Sequence, residues 1–188
     1  GPGPGIPSAP GEGPLDIETL GACFQELSAA CRSAWPGLRL FIETGRYVTG
    51  PAGTYVTTVL DKKASRGKTF VLLHDTLNGF IRPAMSEMVR VLSPSPVPYE
   101  PLFTHVDATR FLPLTDRQEV ETVTLAGNLC TAADIIARDV DLPRLEVGDG
   151  LAMTNAGCYA AVMTPMQFAS LVPPAQLFLS EDGQVSPA

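Results

Sequence analysis

The hydrophobic period of this chain changes near Tyr47, from helical to mainly strand-like. From Leu15 to Trp35, Ile17, Leu20, Phe24, Leu27, Cys31 and Trp35 recur at spacings of three and four, the spacing that lines one face of a helix. Asp16 stands where an N-cap belongs, and Pro36-Gly37 supplies the stop. After a short turn comes the apolar run "LRLFIE", residues 38–43, which reads as a buried strand, so the unit is the helix-turn-strand element of an α/β layer or barrel. One such unit cannot close a barrel alone.

From about Tyr47 the texture is that of β-structure. "GTYVTTVLDKK", "KTFVLLHD", "VETVTLAGNL", "DGLAMTNAGCYAAV" and "AQLFLSEDG" are strand-like runs divided by Gly, Pro and Asp turns. Short helical stretches are expected around Ala84 to Leu92 and Ala132 to Arg138. The stretch Leu92 to Phe103 carries four prolines, too many for a central strand, and reads as an extended loop. The expectation is a mainly β domain at residues 47–188, preceded by an α/β remnant at 1–46.

Composition narrows the functional classes. The net charge is −7, and the thirteen Lys and Arg are scattered, which argues against a nucleic-acid or anionic-membrane partner. No apolar run reaches membrane-spanning length. Cys23, Cys31, Cys130 and Cys158 lack metal-ligand spacing, His74 and His105 have no third partner, and no signal peptide is seen; no metal and a reduced, cytoplasmic compartment are expected. The opening "GPGPGIPSAPGEGP", without an initiating Met, fits a flexible leader, a cloning remnant or the edge of something longer.

Four segments hold candidate chemistry. "ETGR" sets Glu43 and Arg46 about Gly45 at the end of the expected strand, where sites in α/β layers collect. Pattern alone leaves an anion site and a structural ion pair both open. "GNLCTAADIIARD" sets Cys130 and Asp134 about an expected helix start capped by Thr131, where the dipole would favour a thiolate; a buried Cys beside a capped turn fits the same letters. "TNAGCYAAVM" offers Tyr159 beyond Gly157 as a phosphate donor or an ordinary packing Tyr. "LNGFIRPAM" carries Asn78 and Arg82 into a helix near Pro83, Arg82 being a carboxylate clamp or a surface arginine.

In this order, "IETGR", "LLHDTLNGFIRPAM" and "GNLCTAADIIARDVDLPRLEVGDGLAMTNAGCYAAVM" resemble the C-terminal part of the alanine-racemase-like (fold type III) pyridoxal-phosphate decarboxylases, the diaminopimelate and ornithine decarboxylase family. The resemblance covers nearly the whole chain and implies a C-terminal β-sandwich or Greek-key barrel behind the last α/β unit of a truncated TIM barrel. It implies an amino-acid substrate and pyridoxal 5′-phosphate as cofactor. Glu43 would pair with the pyridine nitrogen; Gly45, Arg46 and Tyr159 would hold the phosphate, with Gly1, Gly3 and Gly5 as the rest of a phosphate loop.

By the same resemblance Cys130 would return a proton at Cα across a dimer, and Arg82, Thr131 and Asp134 would line the substrate. Thr131 stands where the family commonly has an acidic residue that reads a distal amine, so a plain diamino acid is disfavoured. The family's cofactor-binding lysine lies early in the barrel; Lys62, Lys63 and Lys68, all in the β-region, do not match it. The chain alone is therefore expected to be inactive. It would be either a portion of a decarboxylase, working as a homodimer or with a separate barrel-domain chain, or a non-catalytic interaction module derived from that domain. The first alternative predicts an exposed apolar face along the helix and "LRLFI".

Overall fold

The computed structural model describes residues 15–92 and 108–188. Gly1, Gly3, Gly5, His105 and nearly all of the proline-rich stretch lie outside them.

Helix α1 runs Ile17–Ala34, held at its start by the Asp16 carboxylate, which accepts from the backbone N–H of Glu18 (3.1 Å) and Thr19 (3.0 Å). The Trp35 N–H closes the last turn on the Cys31 carbonyl (2.8 Å), and Gly37, at φ 96°, turns the chain away. None of the helix is buried, and Ile17, Leu27 and Trp35 (65 % exposed) face outward.

Residues 38–43 correct the buried-strand expectation. A parallel strand exists only through hydrogen bonds to neighbours, and none of the described strands reaches this segment. It runs without regular structure, with Leu38, Leu40, Ile42 and Phe41 (79 % exposed) uncovered. Glu43 accordingly ends no strand and is itself exposed. A short helix α2, Gly45–Thr49, follows, so regular β-structure begins at Tyr55 rather than Tyr47.

Six strands, β1 (Tyr55–Ser65), β2 (Lys68–Leu73), β3 (Phe111–Leu114), β4 (Val120–Ala126), β5 (Ile135–Pro143) and β6 (Gly150–Met153), form one sheet in the order β3-β6-β1-β2-β4-β5. The sheet curls until its end strands β3 and β5 approach, giving a nearly closed barrel. β1 belongs to both halves: Tyr55–Thr58 pair with β6, and after a bulge between Val59 and Asp61 the remainder pairs with β2. Arg66 (φ 52°) and Gly67 (φ 75°) make the β1–β2 turn, the left-handed pair that a tight hairpin demands. β2 and β4 are parallel; every other described pairing is antiparallel. Val59, Val71, Leu73, Phe80, Val123, Leu125, Ile136, Leu151 and Met153 belong to the buried core.

Helix α3, Ile81–Leu92, packs on β5 and replaces the shorter helix expected from Ala84. The expected helix over Ala132 to Arg138 does not form: residues 128–133 make turns and bends, and β5 starts at Ile135. β-Branched Ile135 and Ile136 favour the pleat, and β4 offers a ladder in which Ala126 pairs with Ile135 and Leu125 with Ala137. The apolar run from Gly150 stays a strand only to Met153, and β7 (Leu177–Leu179) pairs with β8 (Val185–Pro187) in a separate hairpin with Leu177, Phe178, Leu179 and Val185 exposed.

Candidate functional site

Two glycines bring α2 and the segment after β6 together. The Gly53 carbonyl accepts from the Ala156 N–H (2.9 Å) and the Gly50 carbonyl from the Gly157 N–H (3.1 Å). A Cβ on Gly157 would lie 1.7 Å from the Thr49 carbonyl oxygen, and one on Gly53 would lie 2.3 Å from the Gly157 nitrogen, so neither position accepts a side chain.

This backbone contact sets Tyr159, itself at φ 51°, beside Arg46, whose guanidinium carbon is 5.9 Å from the ring centroid. Arg46 is only 8 % exposed, and its Nε and Nη1 are buried with no hydrogen-bond partner among the described residues. Leaving charged donors unmatched in the interior is costly, and an anion seated there would satisfy them. Tyr159 is about half exposed.

Arg82, in the first turn of α3, meets the same segment from its other side. Its Nη1 donates to the Cys158 carbonyl (3.2 Å) and lies 3.4 Å from the Cys158 Sγ, while the Ile81 N–H donates to the Thr164 Oγ1 (3.2 Å). Residues 155–164 thus meet two arginines carried by separate helices, Arg46 on α2 and Arg82 on α3.

Cys130 is exposed on the 127–134 turn. Without a helix there, the helix-dipole argument for its thiolate does not apply. The Thr131 hydroxyl accepts from the Ala133 N–H (3.2 Å), so it caps a turn rather than a helix. Asp134 is 2 % exposed; its Oδ1 accepts from the Thr76 hydroxyl and the Leu77 N–H (3.1 Å), and its Oδ2 from the Leu129 N–H (2.9 Å). With both oxygens engaged inside the fold, this carboxylate faces the interior and not a ligand.

Gly45 has open space around it, so no close approach among the described residues requires a glycine there. Of the lysines, Lys62 is tied to Glu121 (2.6 Å) and to the Leu145 carbonyl (2.9 Å), and Lys68 to Asp139 (2.7 Å). His74 Nδ1 lies 2.9 Å from Asp75 Oδ2, and no group of three or more His, Cys, Asp or Glu suited to a metal occurs among the described residues. No helix of the described chain is long and apolar enough to cross a membrane.

Sequence reasoning missed three members of this arrangement. The Gly53–Gly157 contact is long-range and has no local signature; Cys158 passes for a packing residue until Arg82 is seen to lie on it; and Tyr55, whose hydroxyl donates to the Asp75 carbonyl under Gly79, reads as one more strand aromatic.

Comparison with known proteins bears on the whole arrangement. Residues 46–157 match the family described as pyridoxal-dependent decarboxylase, C-terminal sheet domain. The chain is 33 % identical over 169 residues to the L-glutamyl-[BtrI acyl-carrier protein] decarboxylase of Niallia circulans, covering 89 % of this chain and 37 % of that protein. It is 32 % identical over 184 residues to the diaminopimelate decarboxylase of Methanothermobacter thermautotrophicus, covering 96 % and 38 %. Among solved structures, diaminopimelate decarboxylase from M. jannaschii superposes with a TM-score of 0.77 at 24 % identity, covering 96 % of this chain and 37 % of that one, which speaks for the fold. The chain thus spans under two fifths of the length of these relatives.

Proposed function

Since the chain belongs to the fold type III pyridoxal-dependent decarboxylases, related to the diaminopimelate and ornithine decarboxylases, we propose that it supplies the sheet domain (47–188) and a terminal barrel segment (1–46) of an amino-acid decarboxylase. The observation that carries this reading is Arg46: a buried guanidinium with two unmatched donors, beside a half-exposed Tyr, fits the phosphate of pyridoxal 5′-phosphate. When bound, that cofactor supplies the electron sink for loss of CO2.

The chain's own residues then divide the work. Arg46 and Tyr159 bind and orient the phosphate. Glu43, exposed just ahead of α2, holds a proton on the ring nitrogen. Arg82 orients the substrate carboxylate, and Cys130, standing out from its turn, returns a proton at Cα in a second subunit of a dimer. The substrate is an amino acid without a free distal ammonium: the residue beside Cys130 is the neutral Thr131, and the Niallia relative acts on a carrier-bound glutamyl group.

The exposed apolar face of α1 and residues 38–42 is covered in this reading by the remainder of an α/β barrel, which also brings the cofactor-binding lysine. The same face favours a second reading, an interaction module that keeps the docking surface and not the chemistry. The deciding experiment titrates pyridoxal phosphate into the chain, alone and with the candidate barrel polypeptide, and follows CO2 release. Binding weakened by Arg46→Ala and Tyr159→Phe, with turnover in the mixture, supports the decarboxylase; absence of both in every combination leaves the interaction module.

A further inference from the structure

The 127–134 turn and the turn ahead of α3 are far apart in sequence, yet one carboxylate joins them. Asp134 binds the Leu129 N–H on the near side of Cys130 and, through Thr76 and the Leu77 N–H, the 74–80 turn that leads into α3 and Arg82. The backbone completes the frame: the Gly127 N–H donates to the Asp134 carbonyl (2.9 Å), the Asp134 N–H to the Thr131 carbonyl (3.2 Å), and the Phe80 N–H to the Thr76 carbonyl (2.6 Å). Gly127 leaves room for this: its Cβ would fall 1.8 Å from the Thr76 Oγ1 and 2.1 Å from the Asp134 Oδ2.

Three donors converge on one buried carboxylate, two from the 74–80 turn and one from the residue next to Cys130, while the Cys130 side chain hangs free between Leu129 and Thr131. A carboxylate used this way is acceptor only and has no partner to spare for a ligand. We infer that Asp134 is a positioning residue: it fixes the Cys130 turn against the turn that carries Arg82, so the two groups assigned to proton return and carboxylate binding are set by a single anchor. The inference rests on the decarboxylase reading for the roles of Cys130 and Arg82, but the anchor itself is a property of this chain alone.

The asymmetry of the anchor makes it testable. An amide in place of the carboxylate keeps one acceptor oxygen and turns the other position into a donor facing donors, which is repulsive. Thr76→Val removes one donor and leaves the carboxylate its two backbone partners. The Leu77 and Leu129 amides report directly on the anchor, and exposed Cys130 reports on the turn it holds, with exposed Cys23 on α1 as internal reference.

The experiment compares the full chain with its Asp134→Asn and Thr76→Val variants by amide hydrogen exchange and by iodoacetamide labelling read peptide by peptide. Expected are a tenfold or greater loss of protection at Leu77 and Leu129 in Asp134→Asn and about threefold in Thr76→Val, with the β1–β2 ladder unchanged. The Cys130-to-Cys23 labelling ratio should shift at least threefold in Asp134→Asn and less in Thr76→Val. A common rise in exchange throughout the sheet with an unchanged ratio in both variants overturns the inference. If Asp134→Asn fails to fold, Thr76→Val decides: unchanged protection at Leu77 and Leu129 overturns it, and selective loss there supports it. Binding of inorganic phosphate and of pyridoxal phosphate is measured alongside, with and without the candidate barrel polypeptide; failure to bind in every combination overturns the decarboxylase reading while leaving the anchor standing.

Discussion

The guanidinium carbon of Arg46 lies 5.9 Å from the Tyr159 ring centroid, although the two residues sit on opposite sides of the sheet domain's sequence. Arg46→Ala should weaken binding of pyridoxal phosphate at least tenfold, and Arg46→Lys should recover little, because one ammonium cannot replace two guanidinium donors in a fixed plane. Calorimetric titration of the three proteins checks this. Equal affinities would remove Arg46 from the site.

The distance is maintained by backbone contact, so it should be sensitive to a single methyl group. Gly157→Ala puts a carbon against the Thr49 carbonyl oxygen and should cost about 3 kcal/mol of stability, together with phosphate binding. Gly45→Ala, with open space around it, should change stability by less than about 0.5 kcal/mol. Urea denaturation of both variants tests the contrast.

Tyr55 offers a pH signature. Burial first, then the charges of Asp75 and Asp134, push its phenol well above the ordinary tyrosine value of 10.0. A group raised on folding stays protonated in the native state while the unfolded chain has begun to lose that proton, so its contribution is intact below about pH 10 and falls as pH rises beyond it. The stability difference between the parent chain and Tyr55→Phe should therefore be constant from neutral pH to about pH 10 and shrink above it. At neutral pH the variant should be less stable by about 1–2 kcal/mol, the hydrogen bond to the Asp75 carbonyl being lost. Denaturation midpoints across that range decide it.

The uncovered apolar face separates folding from assembly. Phe41→Ser should leave the stability of the chain within about 0.5 kcal/mol, since this ring is 79 % exposed. It should weaken association with a barrel polypeptide at least tenfold. Sedimentation or surface-binding measurements with and without the substitution provide the check.

How far the sequence was legible depended on whether a residue's role is set by its neighbours in the chain. The three-four spacing of Ile17 to Trp35, its Asp16 cap and its Pro36-Gly37 stop fix α1 locally, and the helix forms as read. The run "LRLFI" is apolar and reads as buried, but burial is a property of what lies opposite, and nothing in the described chain does. Ile135-Ile136 misled for a related reason: spacing alone allowed a helix, and only the partner strand β4 settles the pleat. Arg46, Arg82, Cys130 and Tyr159 are candidates by local pattern, and the resemblance gives them order and roles. That Gly53 against Gly157 is what joins the first and last, and that Asp134 turns inward, required the tertiary fold.

The parallel pairing of β2 with β4 has a consequence in time. The β1–β2 hairpin closes through two residues and needs nothing else to form, whereas Thr69 reaches Val123 only after about fifty intervening residues, α3 and β3 among them, have been gathered in. Contact order therefore predicts an early hairpin and a late parallel seam. Asp134 meets Thr76 and Leu77 across a like separation in the chain, so the same closure entropy weighs on its anchor.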